Sequence, residues 1–207
     1  MLNETLAYWF SDGDRLQHGD RRKPEVGGTH RHKGAVVLCE MGLHASVHVA
    51  DAIKYAPGST LWRVEIGGAV IGDDKITGTS RRYLARIDAE PLLREYARWC
   101  ASRVLHLWDA PQVVRDYLAS GDEALRAAAR EAAWEAAWAD EWDGKSDALA
   151  ARSAWNATRT LPATKSAMYA AGAAYNSKGV TWEAPRDKLA EMVDATFATQ
   201  DIYNADK

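Results

Sequence analysis

The residues that could do chemistry are concentrated in the first half of the chain. Five of the six histidines, His18, His30, His32, His44 and His48, precede residue 50. His44 and His48 are four apart, the spacing that places two imidazoles on one helical face, and His30-x-His32 offers a second pair, so zinc is the first chemistry to test. Against zinc, Gly42 puts a turn beside His44, the second pair lies in a loop, and no cysteine pair or HExxH pattern is present. Solvated or core histidines are the better reading, and no metal is expected. Cys39 and Cys100 are single thiols within apolar runs and read as buried, inert cysteines rather than nucleophiles or a disulfide. The sequence holds no serine elbow, phosphate-cradling glycine loop or GxGxxG motif. The basic run His30-Arg31-His32-Lys33 has the charge to grip phosphate but reads more simply as a solvated loop, and Asp73 and Asp74 read as turn residues.

The second concentration is aromatic. Six of nine tryptophans (Trp99, Trp108, Trp134, Trp138, Trp142 and Trp155) fall between residues 99 and 155, in an alanine-rich background. In EAAWEAAWADEW, Trp134, Trp138 and Trp142 recur at i, i+4 steps and share a helix face. The favoured reading is a helix–helix seam in which tryptophans pack across alanine notches. The competing one is an exposed ladder that binds a partner or stacks bases. Glu131, Glu135, Asp140, Glu141 and Asp143 beside it argue against nucleic acid.

These groups need a scaffold, and the composition supplies one. With 207 residues, 47% of them hydrophobic, the chain can bury a core without disulfide or metal staples. A formal charge of −3 and a pI near 6.1 argue against generic electrostatic binding of nucleic acid. No apolar run reaches the length of a membrane span, and the acidic N-terminal stretch is unlike a signal peptide, so a cytoplasmic protein is expected.

Leu6 to Phe10 is rich in β-formers and predicts a first strand. A turn and an irregular basic loop follow. Ala35 to Cys39 predicts a strand, Val49 to Ala56 a short helix ended by Pro57-Gly58, Thr60 to Ile66 a strand, and Tyr83 to Ile87 another. From Pro91 the period becomes helical, with Leu92, Leu93, Tyr96, Trp99, Cys100, Val104 and Leu107 in one stripe. Asp109 is expected to cap the next helix ahead of Pro111, with Gly121 ending it, and Asp122 to cap a third. Further helices are expected over 146–159, 164–176 and 186–199. The fold class is therefore α+β: a sheet-containing domain over residues 1–90 and an Ala/Trp-rich helical bundle over 91–207.

The stretch LCEMGLHASVHVADAIKYAPGSTLWRVEIGG, followed by GDDK, resembles an uncharacterised domain of bacteriophage and prophage proteins, some of which carry similar Ala/Trp-rich helical tails. That resemblance implies a phage or prophage accessory protein and no particular activity. The same stretch is similar to the second motif region of ADP-ribosyltransferase-like folds, where a strand enters a glycine-apolar-aromatic turn, followed by a helix with a second tyrosine and a strand. His44 stands at the aromatic position and Tyr55 at the tyrosine, and the histidine is closer to RNA 2'-phosphotransferases. His18-Gly19 would correspond to a first motif, with Asp20 replacing its hydroxyl residue. The resemblance implies that backbone at Gly19 and Gly42 and rings at His44 and Tyr55 bind NAD's nicotinamide. The departure lies in the last strand, where Arg82, with Arg81 beside it, stands in place of the catalytic glutamate. An arginine there suits phosphate better than an oxocarbenium charge.

Two functions follow. The first is an interaction protein that binds a host or phage protein, with Trp134, Trp138 and Trp142 as its surface, in the sense of countering host defence. The second is an enzyme using NAD or a nucleotide, with His18, His44, Tyr55 and Arg82 in its cleft. The absent carboxylate and the aromatic helix favour the first. A third use of the Ala/Trp helices is to build a homo-oligomer.

Overall fold

The computed structural model describes residues 4–13, 16, 20, 22–138 and 145–205, with side chains through residue 200. His18, Gly19 and Trp142 therefore lie outside the described residues. The chain divides into two compact units, one of residues 1–89 with 190–207 and one of residues 90–189.

The first unit is built on strands β1 (Glu4–Ser11), β2 (Thr29–Arg31), β3 (Leu43–Ala45), β4 (Thr60–Gly67), β5 (Val70–Ile71), β6 (Ile76–Gly78) and β7 (Ser80–Asp88), with one short helix α1 (Val49–Ala52) that continues as a 3-10 turn, Ile53–Tyr55. All pairings are antiparallel, in a four-stranded sheet of order β1-β4-β7-β2 and a three-stranded sheet of order β3-β6-β5. The β-branched and aromatic residues of β4 explain its central place: Leu61, Trp62, Val64 and Ile66 are fully buried. Trp62, Trp9 and Tyr83 form an aromatic cluster with ring centroids 5.2 to 6.3 Å apart. The one polar atom that Trp62 carries into this core is satisfied, because its indole N–H donates to Ser11 Oγ at 3.0 Å. Two residues near the chain's C-terminus belong to this unit: Asp194 accepts from the Tyr8 hydroxyl and from Arg63, whose guanidinium also lies over the Phe197 ring.

The second unit holds helices α2 (Glu90–Ser102), α3 (Gln112–Ser120), α4 (Glu123–Trp138), α5 (Ser146–Thr158) and α6 (Ala163–Asn176), and the start of α7 (Glu183–Ala205). Its core is made chiefly of small residues. Ala129 and Ala133 of α4, Ala150 and Ala154 of α5, and Ala163, Ala167, Ala170 and Ala174 of α6 are fully buried, which lets neighbouring helices approach closely. Arg94 ties a chain reversal in place by donating to the carbonyls of Arg159 and Leu161, each at 2.7 Å. Asp122 caps α4 through the Ala124 amide, and Gly121 ends α3 in the left-handed conformation.

Four expectations are corrected. Ala35 to Cys39 is no strand: Val37 and Met41 exchange both backbone hydrogen bonds and close a tight turn that is largely exposed. Cys39 sits on that turn with φ 68° and is exposed rather than buried. Asp109 does not cap α3; its side chain is solvated and the helix starts on Pro111. Trp134 and Trp138 do not fill the alanine seam, since the alanines close it by themselves. Trp134 and Trp138 stand at its rim, 46% and 37% exposed.

Candidate functional site

A cavity of about 650 Å³ opens in the first unit, and it gathers residues from widely separated parts of the sequence. Tyr8 and Trp9 come from β1, Arg22 and His32 from the basic loop, Cys39 to Gly42 from the tight turn, His44 from β3, Tyr55 from the 3-10 turn, Lys75 from the loop before β6, and Arg81 from β7. Of the residues that the enzyme reading assigns to a site, Gly42, His44 and Tyr55 share this cavity, and His32 and Cys39, singled out for other chemistry, line it too.

Each is placed by local backbone chemistry. Gly42 has φ 121°, and a Cβ there would overlap Thr77 Oγ1, so only glycine lets the turn pass β6 and enter β3. His44 is central in β3, paired with Thr77, and His48 lies outside α1 at its N-cap, so the two imidazoles do not share a helix face. Tyr55 is held at the rim by a 2.6 Å hydrogen bond to Asp74, and the Lys75 ammonium lies 3.8 Å from its ring centroid. That bond, foremost, raises the Tyr55 hydroxyl above its ordinary value and lowers Asp74 below its own. Lys75 thus occupies one face of the ring that the enzyme reading offers to a ligand.

The two neighbouring arginines of β7 go to opposite places, because alternate residues of a strand face opposite sides. Arg82 does not reach the cavity; it pairs across the sheet with Glu65 at 2.7 Å, a half-exposed bridge worth about 1 kcal/mol or less. Arg81 is only 3% exposed and points inward. Its Nε donates to the Tyr83 hydroxyl at 3.1 Å, its Nη1 donates to the His44 carbonyl at 2.8 Å, and its guanidinium carbon lies 3.9 Å from the Trp9 ring centroid. The Tyr83 hydroxyl, which accepts from Arg81, also shares a 2.9 Å hydrogen bond with His30 Nδ1. Burial, followed by the charges of Arg22 and Arg81, keeps His30 below the ordinary histidine value. Burial likewise works against the charge on Arg81 itself.

Two other cations of this unit, Arg22 and Lys54, are already matched. Arg22 grips Asp20 through Nε and Nη2, at 3.0 and 2.6 Å, holding that carboxylate down to about 2. Lys54 pairs with Asp51 and Asp74. Among the described residues no carboxylate pairs with Arg81. A buried charge left in that state costs several kcal/mol, which makes this residue the electrostatic anomaly of the unit.

A family profile whose description reads "Domain of unknown function (DUF7666)" matches residues 20–95. The matched stretch contains most of the cavity walls, from Asp20 and Arg22 to Arg81, but not Tyr8, Trp9 and Phe10 of β1 or Leu16. No curated protein and no solved structure gives a match.

Sequence reasoning missed Arg81, Trp9 and Lys75. The first was recoverable: once Tyr83 is read as inward-facing, period-two alternation points Arg81, not Arg82, to the same side. The convergence of Trp9 and Lys75 depends on the sheet register and on the 3-10 turn, and local pattern carries neither. Among the described residues no three of His, Cys, Asp and Glu converge to hold a metal ion, and no helix is long and apolar enough to cross a membrane.

Proposed function

We propose that the cavity of the first unit binds a nucleotide-class ligand, NAD or a relative of it, and that the chain is an enzyme or a sensor of such a molecule. The observation that carries this reading is that Gly42, His44 and Tyr55, close together in the sequence, line one cavity with the distant Trp9 and a buried cation, Arg81. Its volume lies in the range of small-molecule sites, and its lining combines aromatic walls with a few fixed polar groups. Trp9 and Tyr55 offer rings, and Arg81 and Lys75 offer positive charge. No carboxylate stands at the β7 position where ADP-ribosyl transfer would place one, so binding, or transfer of a phosphate, is better supported than ADP-ribosylation. Calorimetric titration with NAD, ADP-ribose and a 2'-phosphorylated oligonucleotide tests this. Binding of one of them, lost in His44→Ala and Tyr55→Ala variants that keep their circular dichroism, is the expected result. No heat from any of the three would overturn it.

A second reading has its own observation in the second unit. Trp134 and Trp138 stack at 3.9 Å between centroids, with Trp155 against both and Arg152 over Trp138. This half-exposed aromatic cluster is the kind of surface that anchors a protein partner, here a host or phage protein. Pull-down from infected cells with wild-type protein and with Trp134→Ala/Trp138→Ala tests it; equal recovery of every partner by both would remove it.

A further inference from the structure

Among the described residues no carboxylate pairs with the buried Arg81 guanidinium, and this bears on what part of a ligand the cavity holds. We propose that Arg81 seats an oxyanion group of the ligand, a phosphate or a carboxylate, against the inner wall of the cavity. This rests on reading the cavity as a ligand site and adds to it the group recognised and the residue that recognises it.

Three observations support the assignment. The first is hydrogen-bond capacity. A guanidinium has five N–H donors; Nε serves Tyr83 and one Nη1 hydrogen serves the His44 carbonyl, and the remaining three hydrogens have no acceptor among the described residues. An oxyanion that reaches them accepts charge-assisted hydrogen bonds. The second is fixation. The Trp9 ring covers one face of the guanidinium, while Tyr83 and the His44 carbonyl pin its edge, so the fork is held in place before any ligand arrives. The third is charge. The groups that orient Arg81 are a carbonyl and a phenol, with the His30 imidazole behind the phenol. None of them cancels its charge, in contrast to Asp20 beside Arg22. The described cavity lining carries three cations, Arg22, Lys75 and Arg81, against two carboxylates, Asp20 and Glu40. An anion entering this site supplies the missing partner of the buried cation and leaves the other pairs intact.

In this arrangement Tyr83 and His30 are positioning residues. They hold the guanidinium and touch no ligand. Arg82 has no part in the site.

The test follows the Nε–Hε resonance of Arg81 and the indole N–H of Trp9 in ¹⁵N-labelled protein during titration with sodium pyrophosphate, with citrate as the carboxylate arm and sodium chloride at matched ionic strength as control. A saturable movement of both signals with pyrophosphate or citrate, and not with chloride, is the expected result; the arm that binds tighter names the oxyanion. Arg81→Gln should weaken binding about tenfold or more, the scale of a lost charge-assisted hydrogen bond, and Arg82→Gln should leave it unchanged. If Arg81→Gln does not fold, Arg81→Lys, which keeps the charge and loses the fork, should bind measurably more weakly than wild type. Movements that match chloride, or equal affinity in wild type and either Arg81 variant, overturn the proposal. If NAD or ADP-ribose binds without moving the Arg81 signal, the cavity reading stands and the oxyanion seat falls. If pyrophosphate binds at Arg81 and no nucleotide binds, the seat stands and the nucleotide reading falls.

Discussion

Arg81 and Arg82 are adjacent in sequence and opposite in consequence. One lies buried beside Trp9 and Tyr83, and the other lies at the surface paired with Glu65. A resemblance at the level of motif cannot separate them, whereas the pleat of a strand does so with certainty. The cysteines divide in the same way. Cys100 is buried beside Tyr96, and burial pushes its thiol up to about 12, while Cys39 is exposed on the tight turn. A disulfide-exchange reagent should therefore titrate one thiol rapidly in the native protein, Cys39→Ser should remove that reaction, and rapid reaction of two thiols would contradict the packing around Cys100. His30 gives a pH dependence with a defined sign. Its folded value lies below the ordinary 6.5 or so, so on acidification the unfolded chain takes up this proton first. Stability from His30 is complete above that ordinary value and is lost as pH falls through the lower, folded one. The denaturant midpoint of the wild type should fall between about pH 7 and about pH 5, more steeply than that of His30→Asn. A midpoint rising over that interval would contradict the assignment.

At the scale of elements, much of the fold was legible. β1, β4, β7, the short helix at Val49 and the helices from Glu90 onward all follow from β-former runs, apolar stripes and capping residues. The tight turn at residues 37–41 was not, because Val36, Val37 and Leu38 have the composition of a strand and no neighbour in the sheet. What overrides their propensity is the turn closed by Val37 and Met41, followed by Gly42, whose conformation no side chain can share. Gly42→Ala should accordingly destabilise the protein by about 1–3 kcal/mol in chemical denaturation, the range for a strained left-handed residue with a close contact. A neutral effect would show that β3 and β6 separate easily at this point. The alanine seam of the helical unit was legible as a seam but assigned to the wrong residues, since tryptophan is too large for the gap that alanine leaves. Ala133→Leu should then cost about 1–3 kcal/mol by overpacking, and more than Trp134→Ala at its half-exposed rim. The reverse order would place the tryptophans in the core after all.

At the scale of the whole molecule, the candidate site was legible only in part. The sequence pattern reached Gly42, His44 and Tyr55 because they lie close together in the chain; it missed Trp9 and Lys75 because the fold brings them in from a distance, and Arg81 because Arg82 was taken in its place. The two units give the two functional readings separate addresses, and the tryptophans report on both: Trp9 and Trp62 belong to the first unit, Trp134, Trp138 and Trp155 to the second. The central claim is that a nucleotide-class ligand enters the cavity of the first unit and meets Arg81. The most direct measurement is a ¹H–¹⁵N correlation spectrum of the indole and arginine Nε signals, recorded while ADP-ribose is added. Saturable movement of the Trp9 and Arg81 signals, with those of Trp134, Trp138 and Trp155 unmoved, is the predicted result. Movement confined to the second unit's tryptophans, or no movement at all, would contradict the claim.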